Sequence, residues 1–448
     1  MSEVDIRETA LQILTDIEQK NKDSRKALQA ALMRLRFEDK TKRAFLSKLV
    51  TGTMERKLFL DHILDQFSKT PMRKCKPVIR NILRMTVYQI WYMDSVPDTA
   101  AVNEAVKLAK KKGFATLSGF VNGVLRNVIR KKDEIIFPDK ETDYEAYLSV
   151  MYSMPIWLVR KMLTDHDRKT LETILRSTLD ERETTIRING KKTTKEGLKE
   201  RIEKAGITVT EAEYLKDRAL KIADFDNIKR VPGFKEGLFY VQDESSMFVG
   251  EIVGVKEGDI VYDLCAAPGG KATDMAERGA IVTAFDVTEE KCDLIRENIE
   301  RTGLDGITII KKDATKYDET LKERADIVIC DVPCSGLGVI RKHPDIKYRL
   351  TKEELSELVI LQRRILDNAY RYLKKGGTLI LSTCTINPDE NEKNRAYILD
   401  NYDVETVPIT EELPEELKGN TTDLGYLTLL PGVARCDGFF ISKYKKVG

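Results

Sequence analysis

The 448-residue sequence is poor in the residues that mark disulfide-bonded or metal-binding proteins. It has only three histidines, and its seven cysteines are an odd number without paired C-x-x-C spacing. This pattern argues against a disulfide framework and against a zinc site, so we expect no bound metal and a reducing, cytoplasmic environment.

The first residues carry acids and lack an apolar signal core, which argues against secretion. No apolar run is long enough to span a bilayer, which argues against a membrane protein.

Charge is present in quantity but is unevenly distributed. The net charge is only +2, yet the first 140 residues hold 28 Lys and Arg against 17 Asp and Glu, whereas the remainder holds 47 against 56. A basic front part joined to an acidic rear part indicates a polyanion-binding module attached to another domain. Solvated helix faces would give the same excess, so charge alone leaves both interpretations open.

The hydrophobic pattern changes along the chain and predicts a multidomain α and α/β protein. Residues 1–140 carry apolar side chains at helical spacing, and residues 78–93 are apolar nearly all round, which predicts an all-helical domain with a buried central helix. Residues 145–235 mix strand and helix patterns and predict a small α+β domain. From 236 to 448, strands alternate with helices, as is typical of a Rossmann-like, doubly wound sheet.

Several predicted strands of the last domain end in residues suited to a ligand. The first runs into a loop that contains Gly269 and Gly270, where the backbone can approach a ligand closely. Later strands end at Asp286, Asp313 and Asp331. Ligands of such sheets bind beyond the carboxyl ends of the strands. The loop lacks both the P-loop pattern and the G-x-G-x-x-G pattern of dinucleotide sites, which favours S-adenosylmethionine, a donor without phosphate.

Two cysteines also follow strands at this edge. Cys334 and Cys384 lie among Ser, Thr, Pro and Gly, unlike cysteines that serve as small buried apolar residues. Carbon 5 of cytosine is a poor nucleophile, but a thiolate that adds to carbon 6 makes an enamine able to attack a methyl sulfonium. Asp331 could assist near ring nitrogen 3, and Lys271 could favour the thiolate and bound RNA.

The segments DLCAAPGGK, DVPCSGLGVIRKHPDIKY, STCTINPDENE and LLPGVARCDGFF resemble the motifs of the Nop2/Sun family of RNA cytosine-5 methyltransferases. The resemblance spans essentially the whole chain. It implies that Cys384 attacks carbon 6, that Cys334 assists breakdown of the adduct, and that Asp331 contacts the ring. Two small departures are Val332 and Thr385, where the family commonly has Ala and Ser. The resemblance implies a methyl-donor site made of Cys265, Ala266, Ala267, Pro268, Gly269, Gly270, Lys271, Asp286, Asp313 and Asp331.

In the front domain, the segments LVTGTMERKLFLDHIL and FVNGVLRNVIRK resemble NusB-like domains, which bind RNA and protein partners. The middle domain, residues 145–235, resembles the family's RNA-recognition-like segment. Phosphate contacts would supply sequence-independent affinity for RNA. The basic segments expected to make such contacts are residues 110–112, the segment 341–349, and a run made of Arg73, Lys74, Lys76, Arg80 and Arg84.

The expected partner is therefore RNA rather than DNA or a membrane, and the expected state is a monomer. The helical extension favours 16S ribosomal RNA as substrate, with transfer RNA as an alternative that the same catalytic motifs would serve. A different class also stays open, namely a NusB-like RNA-binding or antitermination factor with an inert methyltransferase domain. S-adenosylmethionine is the predicted methyl donor, and S-adenosylhomocysteine the product.

Overall fold

The computed structural model describes residues 5–20, 22–35, 39–181 and 183–448, which form two compact units. The first unit runs to Asp180 and also includes Ile340–Arg349; the second contains Glu181–Val339 and Leu350–Gly448. The domain ranges 1–140, 145–235 and 236–448 stay predictions. Within the described ranges, no helix is both long and apolar enough to cross a membrane.

The first unit is helical, in agreement with the prediction for the front of the chain. The central helix is α5, whose Ile82, Leu83 and Val87 are fully buried in one core with residues of α1, α3, α4, α6 and α7. This confirms the buried helix predicted at 78–93. The helices of the unit are α1 Ile6–Lys20, α2 Ser24–Arg34, α3 Lys40–Glu55, α4 Lys57–Phe67, α5 Pro77–Tyr92, α6 Asp98–Lys111, α7 Ser118–Arg130, α8 Tyr144–Met151, α9 Ile156–Asp165, α10 Arg168–Ser177 and, later in the chain, α15 Ile346–Arg349.

Two arginines of the predicted RNA-binding run are drawn into this unit by acidic partners. Arg84 is 4% exposed and donates to both carboxylate oxygens of Asp61 at 2.6 Å and to Glu18 at 3.0 Å. Arg80 lies 2.9 Å from the same Glu18 carboxylate. The predicted phosphate contact is therefore wrong for Arg84, because a buried guanidinium needs paired acceptors and here finds them inside the protein. The rest of the run is exposed, namely Arg73, Lys74 and Lys76.

The segment Ile340–Arg349 contributes a lysine to the interior of the first unit. Lys347 is 1% exposed, and its Nζ donates to the backbone carbonyl oxygens of Glu55 at 3.1 Å and Tyr152 at 3.4 Å. The expectation that this segment grips RNA is therefore wrong for Lys347. The prediction rested on the basic composition of the segment, which does not show that backbone carbonyl groups far away in sequence accept hydrogen bonds from the Lys347 amine.

We expect the buried amine of Lys347 to make the first unit more stable as the pH rises from about 7 to about 10. Burial lowers the pKa of Lys347 to about 7, far below the usual value of about 10.4 for a lysine. Between the folded and the unfolded pKa, the unfolded chain binds a proton that the folded chain does not. The free-energy cost of burying the charged amine is therefore complete below the folded pKa and fades as the pH rises above it. Lys347→Met should remove the rise.

Tryptophan fluorescence during urea unfolding measures this effect, because Trp91 and Trp157, the two tryptophans of the chain, both belong to the first unit. Lys107→Met, which removes an exposed lysine, is the control and should keep the wild-type pH dependence. An unchanged slope in Lys347→Met would contradict the prediction.

The second unit begins with a small antiparallel sheet. Its strand order is β2-β3-β1-β4, and helix α11 covers one face through Leu198 and Ile202. This is the α+β fold predicted for the middle of the chain. The elements are β1 Thr184–Ile188, α11 Lys195–Glu203, β2 Thr208–Glu211, β3 Ala219–Ala223 and β4 Phe239–Val241.

The larger sheet has the order β10-β12-β9-β8-β5-β6-β7, with β11 paired to β12. Strands β5 to β9 pair in parallel, as predicted, whereas β12 runs antiparallel to β9, β10 and β11. The strands are β5 Ile260–Asp263, β6 Ile281–Asp286, β7 Ile307–Lys311, β8 Ala325–Asp331, β9 Leu373–Thr383, β10 Val404–Thr406, β11 Tyr426–Leu429 and β12 Phe439–Lys446.

Both faces of this sheet are buried, which explains why its central strands are almost continuously apolar. Along β8, Ile327 and Ile329 belong to the core on one face, whereas Val328 and Cys330 belong to the core on the other. The two faces are covered by helices, so the strand ends are left as the open edge for a ligand. The helices of this part are α12 Glu244–Ile252, α13 Gly270–Glu277, α14 Glu289–Thr302, α16 Lys352–Tyr372, α17 Glu392–Asn401 and α18 Asn420–Asp423.

Candidate active site

The loop that joins β5 to α13 folds onto the carboxylate at the end of β6. The backbone N–H of Ala267 donates to one oxygen of Asp286 at 3.0 Å, and that of Val287 donates to the other at 2.8 Å. Gly269 has φ +101° at the start of α13, a conformation that favours glycine. The structure therefore brings the predicted loop, Cys265–Lys271, together with Asp286. Asp313 lies beyond β7, where hydrogen bonds from Thr315 lower its pKa.

A further carboxyl group, which was not predicted from the sequence, lies at this edge. Asp263, the last residue of β5, is 1% exposed, and among the described residues neither of its oxygens has a hydrogen-bond partner. Burial raises its pKa to about 7, against the opposing effect of the Lys271 charge. An orphaned buried carboxyl suits a cationic ligand, which would supply the missing partner. Its position between an apolar strand and a glycine-containing loop was the feature of the sequence that could have identified Asp263 as a site residue.

Lys271 and Asp331 form a tightly bonded pair at the same edge. The amine of Lys271 donates to Asp331 Oδ2 at 2.6 Å and to Ser246 Oγ at 3.0 Å, and it lies 5.3 Å from the centroid of the Phe439 ring. The other oxygen of Asp331 accepts from Ser382 at 2.8 Å. With both oxygens accepting hydrogen bonds, Asp331 is held as an acceptor with lone pairs left over.

The two cysteines singled out from the sequence are in contact. The sulfur atoms of Cys334 and Cys384 lie 3.2 Å apart, and both side chains are half-buried. Their hydrogen bond, followed by burial, raises the pKa of Cys334. Gly338 approaches this site closely, because its N–H donates to the Cys384 carbonyl at 3.1 Å and an added Cβ would stand 2.8 Å from that oxygen. The arrangement places two thiols side by side at the ends of β8 and β9.

Glu390 joins the two cysteine loops and was not recognised from the sequence. Its carboxylate is fully buried and accepts from the N–H of Ser335 at 2.9 Å and from its hydroxyl at 2.5 Å. Gln362 and Asn387 each donate to it at 2.9 Å. Ser335 also lies 2.7 Å from the hydroxyl oxygen of Thr385. The residue that follows each cysteine is thus anchored in one polar cluster.

We expect Glu390→Gln to destabilise the second unit by about 3 kcal/mol, because the new amide group would face donors that need an acceptor. Urea unfolding followed by circular dichroism measures the loss, and alkylation of the native protein by iodoacetamide should become faster at both cysteines. Glu392→Gln is the matched control, since Glu392 accepts one hydrogen bond from Thr428. Equal unfolding midpoints for the two variants would contradict the prediction.

Comparison with known proteins gives the same three-part organisation. Residues 251–445 match the model for the 16S rRNA methyltransferase RsmB/F, residues 4–130 match the NusB family, and residues 154–228 match the ferredoxin-like domain of RsmF/B-like methyltransferases. The NusB-like, α+β and methyltransferase folds predicted from the sequence are thereby confirmed.

Two relatives that match over nearly the whole chain have the same name. The chain is 35% identical to the probable ribosomal RNA small subunit methyltransferase B of Bacillus subtilis, over 100% of both chains. It is 32% identical to the protein of that name from Synechocystis, over 99% of this chain and 100% of the relative.

The crystal structure of PH0851 matches with a TM-score of 0.82 at 25% identity over 99% of each chain. A methyltransferase homologue from Pyrococcus horikoshii matches with a TM-score of 0.57 at 27% identity, over 68% of this chain and 100% of that one. The chain is accordingly an RNA methyltransferase that belongs to the RsmB/F family of 16S rRNA methyltransferases.

Proposed function

We propose that this protein transfers a methyl group from S-adenosylmethionine to carbon 5 of a cytosine in 16S ribosomal RNA, through a covalent bond between Cys384 and carbon 6. The observation that carries the proposal is the pair of thiols 3.2 Å apart at strand ends that also hold Asp331. A single buried cysteine would fit a core role, but two adjacent half-buried thiols suit formation and breakdown of an adduct.

The donor loop fits S-adenosylmethionine, which would supply an electrophilic methyl group on a sulfonium. Asp286 could accept a hydrogen bond from a ribose hydroxyl through Oδ2, which accepts from the Ala267 N–H and keeps a lone pair, whereas Oδ1 accepts from the Val287 N–H and pairs with Lys291 at 3.0 Å. Asp263 fits the cationic side of the donor, since its carboxyl is buried without a partner among the described residues. The other donor-site residues proposed are Cys265, Ala266, Ala267, Pro268, Gly269, Gly270, Lys271, Asp313 and Asp331.

Each remaining group has a role in the addition and its reversal. The Cys384 thiolate forms the bond to carbon 6, and electron density moves toward ring nitrogen 3 and carbon 5. Asp331, held by Lys271 and Ser382, accepts hydrogen bonds from the ring edge and stabilises a proton on nitrogen 3. After the methyl group has moved to carbon 5, the Cys334 thiol loses its proton to solvent, and the resulting thiolate takes the carbon 5 proton. The double bond between carbons 5 and 6 then re-forms, the bond from carbon 6 to sulfur breaks so that Cys384 leaves as a thiolate, and nitrogen 3 returns its proton to solvent.

Methylation of purified RNA tests the proposal and its rivals. The protein and S-adenosylmethionine are incubated with unmodified 16S ribosomal RNA and, separately, with unmodified transfer RNA, and 5-methylcytosine is mapped by bisulfite sequencing. We expect 5-methylcytosine in the 16S RNA and little in transfer RNA. Preferential modification of transfer RNA would assign the other substrate. Failure to bind S-adenosylmethionine in calorimetry would favour an RNA-binding factor with an inert domain.

A further inference from the structure

A chain of hydrogen bonds runs from the small antiparallel sheet to the active-site lysine. Arg187 on β1 is fully buried, and its Nε donates to the side-chain oxygen of Gln242 at 2.8 Å. The Gln242 amide nitrogen lies 3.4 Å from Ser246 Oγ, and Lys271 donates to that same oxygen at 3.0 Å. Lys271 in turn holds Asp331 at 2.6 Å. A residue outside the large sheet is thus connected to the polar pair at its catalytic edge.

Arg187 also holds the backbone from which the lysine projects. Its Nη2 donates to the carbonyl oxygen of Gly270 at 3.3 Å and to the hydroxyl of Thr273 at 3.0 Å. The same guanidinium pairs with Glu277 and lies 4.0 Å from the centroid of the Tyr240 ring. Because Gly270 precedes Lys271 at the start of α13, the arginine fixes the first turn of that helix as well as the chain of side chains.

We propose that Arg187, Gln242 and Ser246 are positioning residues that hold the amine of Lys271 against Asp331 during methyl transfer, an inference that rests on the proposed function. A lysine has a long flexible side chain, so its amine is fixed only where several acceptors surround it. Asp331 supplies one acceptor and Ser246 the other. The small antiparallel sheet thereby contributes to the geometry of the reacting site as well as to the stability of the unit.

Substitution of Ser246 tests the last link of this chain. Ser246→Ala should lower kcat about tenfold, the effect of one charge-assisted hydrogen bond, with little change in KM for RNA or in the affinity for S-adenosylmethionine. Ser246→Thr keeps a hydroxyl and should restore most of the rate. A Ser246→Ala enzyme with wild-type kcat would overturn the proposal, as would a threonine variant no faster than the alanine variant.

Arg187→Lys tests the hydrogen bond between Arg187 and Gln242, and it is compared with a matched control. The control is Arg301→Lys: Arg301 is a partly buried arginine of the same unit, and it donates to the backbone carbonyl oxygens of Phe234 and Phe239 rather than to Gln242. Both variants should lower the melting temperature, whereas only Arg187→Lys should lower kcat by about tenfold. Combining Arg187→Lys with Ser246→Ala should cost little more than either change alone, because both break the same chain. Equal kcat for the two arginine variants would overturn the proposal.

A readout without RNA separates this inference from the proposed function. Acetic anhydride labels lysines of the free protein, and mass spectrometry compares Lys271 with the exposed Lys235. We expect Lys271 to be labelled several-fold faster relative to Lys235 in Ser246→Ala than in wild type, since its amine has lost a partner. This contrast holds even for a wild-type protein that makes no 5-methylcytosine, an outcome that would refute only the proposed function. Equal labelling in both proteins would refute the positioning role.

Discussion

Cys384→Ala should abolish methyl transfer, with a loss of about 10⁴-fold or more in kcat, as expected when a covalent nucleophile is removed. The sulfur of Cys384 is the atom proposed to bond to carbon 6, whereas Cys334 is the group proposed to take the carbon 5 proton. Single-turnover transfer of a radiolabelled methyl group to 16S RNA measures the loss.

Donor binding separates a lost nucleophile from a damaged fold. Cys384 follows β9, whereas the donor loop follows β5, so the affinity for S-adenosylmethionine should stay within about threefold of wild type if no donor contact is lost. Cys75→Ala, which removes a half-buried thiol from the helical unit, is the control and should keep full activity. Retained turnover by Cys384→Ala would show that another group is the nucleophile.

Cys334→Ala should instead trap the protein on its RNA. Without the second thiol the carbon 5 proton leaves slowly, so the bond between Cys384 and carbon 6 persists after methylation. We expect turnover to fall by about 10²- to 10³-fold, the usual contribution of a general base. A band of reduced mobility that survives denaturing electrophoresis should accumulate as RNA and methyl donor are added.

The double variant supplies the control for this trap. Cys334→Ala combined with Cys384→Ala should give no shifted band, because the bond to the RNA would come from Cys384. A shifted band in the double variant would assign the covalent bond to a different residue. Free turnover by Cys334→Ala with no trapped species would remove Cys334 from product release.

Much of the catalytic sheet could be predicted because its signals are local. Strands such as β8 are apolar on both faces, and the acids or cysteines that follow them stand directly after the apolar run. The antiparallel edge formed by β12 was not predicted, since its partner β9 lies far away in sequence. Pairing between distant strands depends on the whole fold, and the alternation of a single segment does not specify it.

The missed or misassigned residues depend on contacts between distant segments. Arg84 has the appearance of an RNA-binding arginine until Asp61 and Glu18 are placed around it. Glu390 is one acid among many in a charged chain, and its importance comes from the donors that converge on it. Sequence patterns predict which segments bury apolar surface, whereas the choice of partner for a buried charge is made only in three dimensions.

The late position of Ile340–Arg349 has a consequence for how the nascent chain matures. Helices α1 to α10 are translated long before these ten residues, yet the interior of the helical unit includes Lys347 from among them. N-terminal units usually fold first on the ribosome, but Lys347 can take its place in this unit only after strand β8 and the loop after it have been made. A polypeptide released before residue 340 would carry every long helix of its first unit and still lack part of that unit's interior.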